Sequence, residues 1–487
     1  MLRPWKTILQ LTLHSSKTVS QQIADGIINE IKKGRLKPGM SLPGSRVLAD
    51  DLGVNRKTVV IAYTTLTDEG WLSTAYKAGT FVSDTLPDTP PVPHYKKQTP
   101  GKAESNFRFN AFTIPPIISH ASNKTHIIFN DGLPDARLAP LDQLAKAYKR
   151  IFQQKARWRL MGYGSEKGED SLRAALCKML NHDRGLSIDP GNILVTRGSQ
   201  MALYLTAHTL VQPGDVVAME TPGYLPAWET FKKAGARMQP VKVDEQGICV
   251  QELEKICRRK KIKAVYVTPH HQFPTTVSMK IDRRLQLIAL SARYGFAIVE
   301  DDYDHEYHFG LRSLLPLASM EAAANVIYIS SLSKLISPAI RIGYLAGPQP
   351  FIDAVAALRT IIDRQGDPVM EYAVAELMEA GEIHKHARRA FGIYKERRAH
   401  MAACLDQYLL RHITYQQPEG GLAYWVQFRK TVDTAALCQQ LLKKGVQLID
   451  TERFSFNKTP LHALRLGYAS LTPEELTAGI AAIASVL

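Results

Sequence analysis

Residues 296–304 read FAIVEDDYD, and residues 326–334 read VIYISSLSK. In each, a short apolar run ends in polar groups: Phe296 to Glu300 leads to Asp301, and Val326 to Ser330 leads to Ser331-Leu332-Ser333-Lys334. Such runs read as buried strands, and open α/β sheets gather their ligand-binding residues at the carboxyl ends of their strands. Lys334 is therefore a candidate for forming a Schiff base, which requires a partly neutral amine; burial next to other cations would supply one. Asp301 could pair with a protonated pyridine nitrogen and keep such a ring an electron sink, and Tyr303 could hydrogen-bond its 3'-oxygen.

Working outward, Asn192 to Thr196, Asp215 to Met219 and Ala264 to Thr268 are runs of the same kind, separated by longer helical patterns. Alternation of this sort predicts an α/β fold with a largely parallel sheet covered by helices. After Pro368 the pattern turns helical, then breaks at Pro418-Glu419-Gly420-Gly421 before the apolar strand Leu422 to Phe428. We expect a large domain over 126–367 and a small C-terminal α+β domain over 368–487. Residues 86–125 carry Pro87, Pro90, Pro91, Pro93, Pro100, Pro115 and Pro116 without sustained periodicity, which predicts a fairly stiff linker.

Other positions in the large domain suit an anionic, planar ligand. Gly198-Ser199-Gln200 follows a strand and opens a helix, whose free N–H groups would cradle phosphate. Arg341, in SPAIRIGYLAG, could clamp the same phosphate with the Ser331 hydroxyl. Tyr224, in a Pro-Gly turn, suits stacking on a ring.

Residues 1–85 differ in kind. Thr18 or Ser20 can cap a helix whose Ile23, Ile27, Ile28 and Ile31 share a face, with Gly34 placed to end it. Leu42-Pro43-Gly44-Ser45-Arg46 leads into a short helix ended by Gly53, and Asn55 caps another whose Val59, Tyr63 and Leu66 point inward. Two helices joined by a Gly-containing turn make a helix-turn-helix, with Arg56, Lys57 and Thr58 at the end that would enter a major groove. Past Gly70, residues 71–82 read as a β-hairpin wing, its tip near Lys77 and Gly79.

The net charge of +15 favours an anionic partner. The five cysteines form no C-x-x-C pair, which argues against a disulfide framework or zinc ribbon and for a reducing compartment. With neither a signal-like nor a membrane-spanning apolar run, a cytoplasmic protein without membrane association is expected.

The pattern LPGSRVLADDLGVNRKTVVIAYTTL…GWL…AGTFV resembles the winged helix-turn-helix of the GntR family across 18–83. By that resemblance Ser45, Arg46, Arg56, Thr58 and Gly79 occupy DNA-contacting positions; Lys57 and Lys77 join them on charge and placement. From about 126 to 487 the chain resembles the fold-type I aminotransferases, and with the reader it resembles the MocR subfamily of regulators. The resemblance implies pyridoxal 5'-phosphate on Lys334, with Asp301 at the pyridine nitrogen, Tyr303 at the 3'-oxygen and Tyr224 stacked on the ring. Ser199, Gln200, Ser331 and Arg341 would hold the phosphate, and Tyr163, in YGSEKGEDSLRAAL, would reach the neighbouring subunit's phosphate in a homodimer.

Arg465, in LRLGYAS, matches a position that grips a substrate carboxylate, so an amino acid or related carboxylate is the implied effector. PHHQFPTT (269–276) resembles the family's P-x-HQ-F/Y-P-T-G, but Thr276 stands where glycine is usual. That leaves open the shape of the turn and the roles of His271 and Gln272.

Two function classes remain after this reading. One is a transcription regulator sensing an amino acid, a related carboxylate or the cofactor itself; the other is a working transaminase carrying a DNA reader, since every cofactor-binding residue also serves catalysis. The reader favours the regulator. A repressor whose large domain only dimerises would leave Lys334 and its neighbours without a purpose. Asp301, Asp302, Asp304, His305, Glu306 and His308 contain donors that suit divalent ions, yet no recognised ligand spacing appears, and no metal is expected.

Overall fold

The computed structural model describes residues 5–9, 11–12, 17–75, 79–87, 108, 127–153, 157–310, 314–457 and 459–487. They fall into two compact units divided between Ile114 and Pro115. Most of the expected linker, and Lys77 with it, lies outside the described residues. Among the described residues no helix is long and apolar enough to cross a membrane.

In the first unit the Thr18 side chain accepts from the Gln21 N–H while the Gln21 side chain accepts from the Thr18 N–H, a reciprocal cap that starts the helix Val19–Lys32. Such caps contribute about 1 kcal/mol. Ile23, Ile27 and Ile31 are buried on one face, while Ile28 is half-buried. The helix Ser45–Leu52 ends at Gly53, whose φ of +66° is left-handed. Asn55 then caps the helix Arg56–Asp68 through the Lys57 N–H. Val59, Tyr63 and Leu66 enter the core with Trp71 and Leu72, and the Tyr63 hydroxyl donates to the Pro43 carbonyl at 2.8 Å. The hairpin pairs Leu72–Ala75 with Gly79–Val82, antiparallel, Ser73 opposite Phe81.

An eight-stranded sheet organises the second unit. Its spatial order is Ile193–Thr196, Gly343–Ala346, Val326–Ser331, Ala297–Asp302, Ile262–Val267, Val216–Thr221, Arg237–Asp244 and Gly247–Ile248. Neighbours from Val326–Ser331 to Arg237–Asp244 pair in parallel. Gly343–Ala346 runs antiparallel to both of its neighbours, and Gly247–Ile248 is an antiparallel edge. These two departures from a parallel sheet are not foreshadowed by the apolar runs, which look alike whichever way a strand runs.

A three-stranded antiparallel sheet (Ile413–Tyr415, Ala423–Phe428, Ala463–Gly467) lies in the C-terminal part with the long helix Glu382–Tyr408. The strand Ile127–Ile128 pairs with Val446–Gln447, and Phe129 is buried in the core of this part. Chain entering the large sheet's region is thus tied into the C-terminal core. That tie brings the loop 130–135 to the site described next.

Candidate cofactor and DNA sites

Parallel strands end on the same side, so the loops after them converge. Lys334 follows Val326–Ser331, Tyr303 follows Ala297–Asp302, Tyr224 follows Val216–Thr221 and Ser199 follows Ile193–Thr196. The Lys334 ammonium donates to the Gly132 carbonyl and lies 5.6 Å from the centre of the Tyr303 ring. Burial lowers its pKa, and Arg465 pushes the same way against the raising influence of Asp131, Asp304 and Asp301. A partly neutral amine is the form that attacks an aldehyde.

Asp301 is buried, with one oxygen accepting from the Tyr266 hydroxyl at 2.8 Å and the other, Oδ1, without a hydrogen-bond partner among the described residues. Burial raises its pKa to about 7, opposed by the Tyr266 bond. A half-satisfied buried carboxylate is costly unless a donor or cation completes it. A protonated pyridine nitrogen would do so.

Tyr303 donates to the His271 carbonyl at 2.8 Å, and Tyr224 meets Phe273 edge-on at 5.2 Å. Ser331 is buried, and its single hydroxyl proton has two acceptors within reach, the Ser333 hydroxyl at 2.9 Å and the Ile342 carbonyl at 3.2 Å.

At the start of the helix Ser199–Leu210, Gly198 has φ +84°, and a Cβ there would meet the Arg341 guanidinium at 2.7 Å. Arg341 itself is left-handed, φ +50°, and donates to the Arg197 carbonyl at 2.8 Å. Guanidinium and helix N-terminus therefore share one cradle that a side chain would fill. The Gln200 amide is turned to Thr230 Oγ1 at 2.8 Å, which leaves its main-chain N–H, with that of Ser199, as the group offered at the helix start. Tyr163 is 79% exposed, with the Arg364 guanidinium over its ring at 4.1 Å.

Arg465 is 2% exposed, and its hydrogen bonds go to the Asp131 carbonyl (2.9 Å), the Pro274 carbonyl (2.5 Å) and the Tyr303 hydroxyl (3.5 Å). Its guanidinium stands 4.6 Å from the Phe273 ring centre. No carboxylate forms a salt bridge with it among the described residues. A buried cation held only by neutral groups, here two carbonyls and a hydroxyl, has charge left over for an anion.

The turn at 269–276 keeps a left-handed residue at its end: Thr276 has φ +64°, and its N–H donates to the Gln272 carbonyl at 2.7 Å. The side chain thus tolerates the conformation that glycine would take without strain. Gln272 donates to the Pro222 carbonyl at 2.9 Å, while His271 Nδ1 lies 2.8 Å from Asp304. Both residues hold the walls of the pocket together.

Sequence reasoning missed Tyr266, Ser333 and the Asp131-Gly132 loop. Tyr266 sits inside an apolar strand and carried no signal. An Asp-Gly pair is a general turn signal, but nothing local ties this one to Lys334, 202 residues away.

On the first unit Arg46, Arg56 and Lys57 are exposed, Ser45 and Thr58 half-buried, and Gly79 exposed in the wing with φ +116°. Arg56 Nε donates to Ser45 Oγ at 3.4 Å, which links the first turns of two helices. Val60 and Ile61 are exposed apolar residues further along the helix Arg56–Asp68.

Residues 127–483 match the family described as aminotransferase class I and II, and residues 19–82 match the gntR family of bacterial regulatory proteins. The chain is 31% identical to the HTH-type transcriptional regulator TauR of Rhodobacter capsulatus, covering 96% of this chain and 95% of that one. It is 28% identical to the probable rhizopine catabolism regulatory protein MocR of Rhizobium meliloti, covering 98% and 95%. Among solved structures, the α-aminoadipate aminotransferase of Thermus thermophilus, complexed with N-(5'-phosphopyridoxyl)-L-leucine, superimposes with a TM-score of 0.70 at 26% identity, covering 74% of this chain and 92% of that one.

Proposed function

The chain belongs to the MocR-type transcriptional regulators, a gntR-family reader joined to an aminotransferase class I and II domain, and we propose that it reports an amino acid or related carboxylate to DNA through the site around Lys334. Family membership implies pyridoxal 5'-phosphate as the cofactor, and the unpartnered Asp301 Oδ1 and the Gly198–Arg341 cradle fit it. When bound, that group supplies an electrophilic carbon and an electron-withdrawing ring.

The chain's own residues do the rest. Lys334 presents an amine kept partly neutral by burial, Asp301 holds a proton at the ring nitrogen, and Tyr303 bonds the 3'-oxygen. Tyr224 covers the ring, while Ser199, Gln200, Ser331 and Arg341 receive the phosphate. Arg465 takes the effector carboxylate, as its planar fork suits bidentate pairing. Tyr163 reaches across to a second copy, so the working form is a homodimer, in the cytoplasm with the DNA.

The observation that carries this reading is the buried Arg465 guanidinium, hydrogen-bonded by carbonyls and a hydroxyl beside Lys334. Effector binding there shifts the protein between states that bind DNA differently, which requires different effector affinities in the two. The test is the visible spectrum of the protein with pyridoxal phosphate, beside Lys334→Ala. A band in the wild type alone, shifted by amino acids with a change in operator affinity and no keto acid accumulating, is the expected result. Keto acid formed over many turnovers would point to a transaminase, and no band in the wild type would sink the site assignment.

A further inference from the structure

Four imidazoles gather at the carboxyl ends of the strands Ile262–Val267 and Ala297–Asp302, and none has a task in the proposed sensing beyond bracing the turn. His270 and His271 come from the loop after the first strand, His305 and His308 from the loop after the second. The His270 ring centre lies 4.7 Å from that of His271, 4.5 Å from His305 and 5.8 Å from His308. The His271 and His308 rings are nearly parallel, with centres 6.0 Å apart.

His270 is 3% exposed and His271 1%. Both ring nitrogens of His270, and Nε2 of His271, are buried without a hydrogen-bond partner among the described residues. Burying three such atoms unpaired is unfavourable unless something completes them. His271 Nδ1 lies 2.8 Å from Asp304 Oδ1. A carboxylate on one ring nitrogen leaves the lone pair on the other, which is how metal-ligating histidines are commonly held.

Nitrogens of His270, His271 and His308 lie within 4.8 Å of one another. A tetrahedral ion with bonds of about 2.0–2.1 Å would draw them to about 3.3 Å, a modest closure. Room beside His271 Nε2 exists because residue 420 is glycine: a Cβ there would stand 2.1 Å from that nitrogen.

Asp302 and His305 form a second group of donor atoms with His270 at the same spacing. Asp302 Oδ2 is, however, engaged by the Tyr328 hydroxyl at 2.6 Å, by His305 Nδ1 at 3.0 Å and by Arg184 at 3.7 Å, so that its charge is balanced without an ion, although Oδ1 has no hydrogen-bond partner among the described residues. We take the three-imidazole set as the ligands because two of its members, His270 and His271, bring buried ring nitrogens without partners among the described residues, whereas the Asp302 group already carries a compensating guanidinium.

We propose that His270, His271 and His308 bind one divalent transition-metal ion of the zinc class through imidazole nitrogens, with a fourth position left for water or His305. Imidazole suits zinc, copper and nickel in preference to calcium or magnesium. Along the chain these residues show no ligand spacing; two adjacent parallel strands supply it instead. The ion would also brace the turn whose His271 and Pro274 carbonyls hold Tyr303 and Arg465.

Cobalt(II) titration of the full-length protein with its cofactor, followed by the ligand-field bands of cobalt on imidazole, tests this. One equivalent per chain, displaced by zinc, is expected. Binding should weaken at least tenfold in His308→Ala and in His270→Gln, each retaining the cofactor band as a sign of folding, and should persist in His384→Ala, an exposed histidine paired at 3.9 Å with Asp183. No stoichiometric binding, or binding unchanged in both ligand variants, overturns the site. Loss in His305→Ala with retention in His308→Ala overturns the ligand assignment in favour of the Asp302 group.

Discussion

The DNA reader and the cofactor site both await anions, and they are built in opposite ways. On the reader, Arg46, Arg56 and Lys57 stand exposed on helices whose buried core is built without them. In the large unit, Arg465 and Asp301 are buried with hydrogen-bonding capacity left over. Exposed cations attract a polyanion by releasing counterions, at little cost to the fold and with strong dependence on salt. Buried, incompletely paired groups recognise a small ligand by completing themselves with it, which makes geometry decisive and salt secondary.

The large unit repeats the contrast at the scale of one peptide bond. Asp301 and Asp302 are consecutive strand residues and face opposite ways. Burial raises Asp301 to about 7. It acts on Asp302 too, but His305, His270 and Arg184 outweigh it and hold that carboxyl well below the usual range. The protein's own cations balance the charge of Asp302 through its Oδ2, although its Oδ1, like that of Asp301, lacks a hydrogen-bond partner among the described residues; no salt bridge there balances Asp301, which is left for a ligand.

If geometry rules the buried site, Arg465→Lys keeps the charge and still weakens carboxylate binding by about 10- to 100-fold, the value of one or two charged hydrogen bonds. Titration of the cofactor band with amino acids reads this directly; unchanged affinity would mean that charge alone suffices and would dissolve the contrast with the reader. On the other side, Arg56→Ala should weaken operator binding several-fold and lower the slope of log affinity against log salt by ~1. An unchanged slope would place Arg56 away from phosphate.

A smaller effect sharpens the carboxylate pair. Because the folded pKa of Asp301 is raised from 3.8 to about 7, its contribution to the stability of the cofactor-free protein is present below pH 4 and lost as pH rises through 7. Glu220 and Glu300, also raised to about 7 by burial, act in the same direction. Asp301→Asn should therefore flatten the decline between pH 4 and 7 in urea unfolding of the cofactor-free protein, while a slope identical to the wild type's would place the titration elsewhere.

Smallest of all, Thr276→Gly should stabilise by up to about 1 kcal/mol, as it relieves a left-handed β-branched residue. Unfolding measurements that show a clear loss instead would mean that packing of the buried threonine outweighs the strain.

Much of this was legible along the chain because its causes are local. A cap such as Thr18 or Asn55, a left-handed stop at Gly53 and an apolar stripe at helical spacing act within one or two turns, so they can be read in order. The strand ends that carry Asp301 and Lys334 were likewise marked by apolar runs stopping at polar residues. The antiparallel sense of Gly343–Ala346, the hold of Tyr266 on Asp301 and the carbonyl of Gly132 at Lys334 were not legible, since each joins segments whose spacing along the chain carries no signal.

The sequence by itself therefore determined the elements, the reader and the residue types that the cofactor site employs. Only the tertiary structure decided which donors and acceptors are left unsatisfied: the open oxygen of Asp301, the carbonyl-held guanidinium of Arg465 and the unpaired nitrogens of His270 and His271. The reason is that burial and hydrogen-bond satisfaction belong to the whole packed arrangement, not to the residue that carries the group.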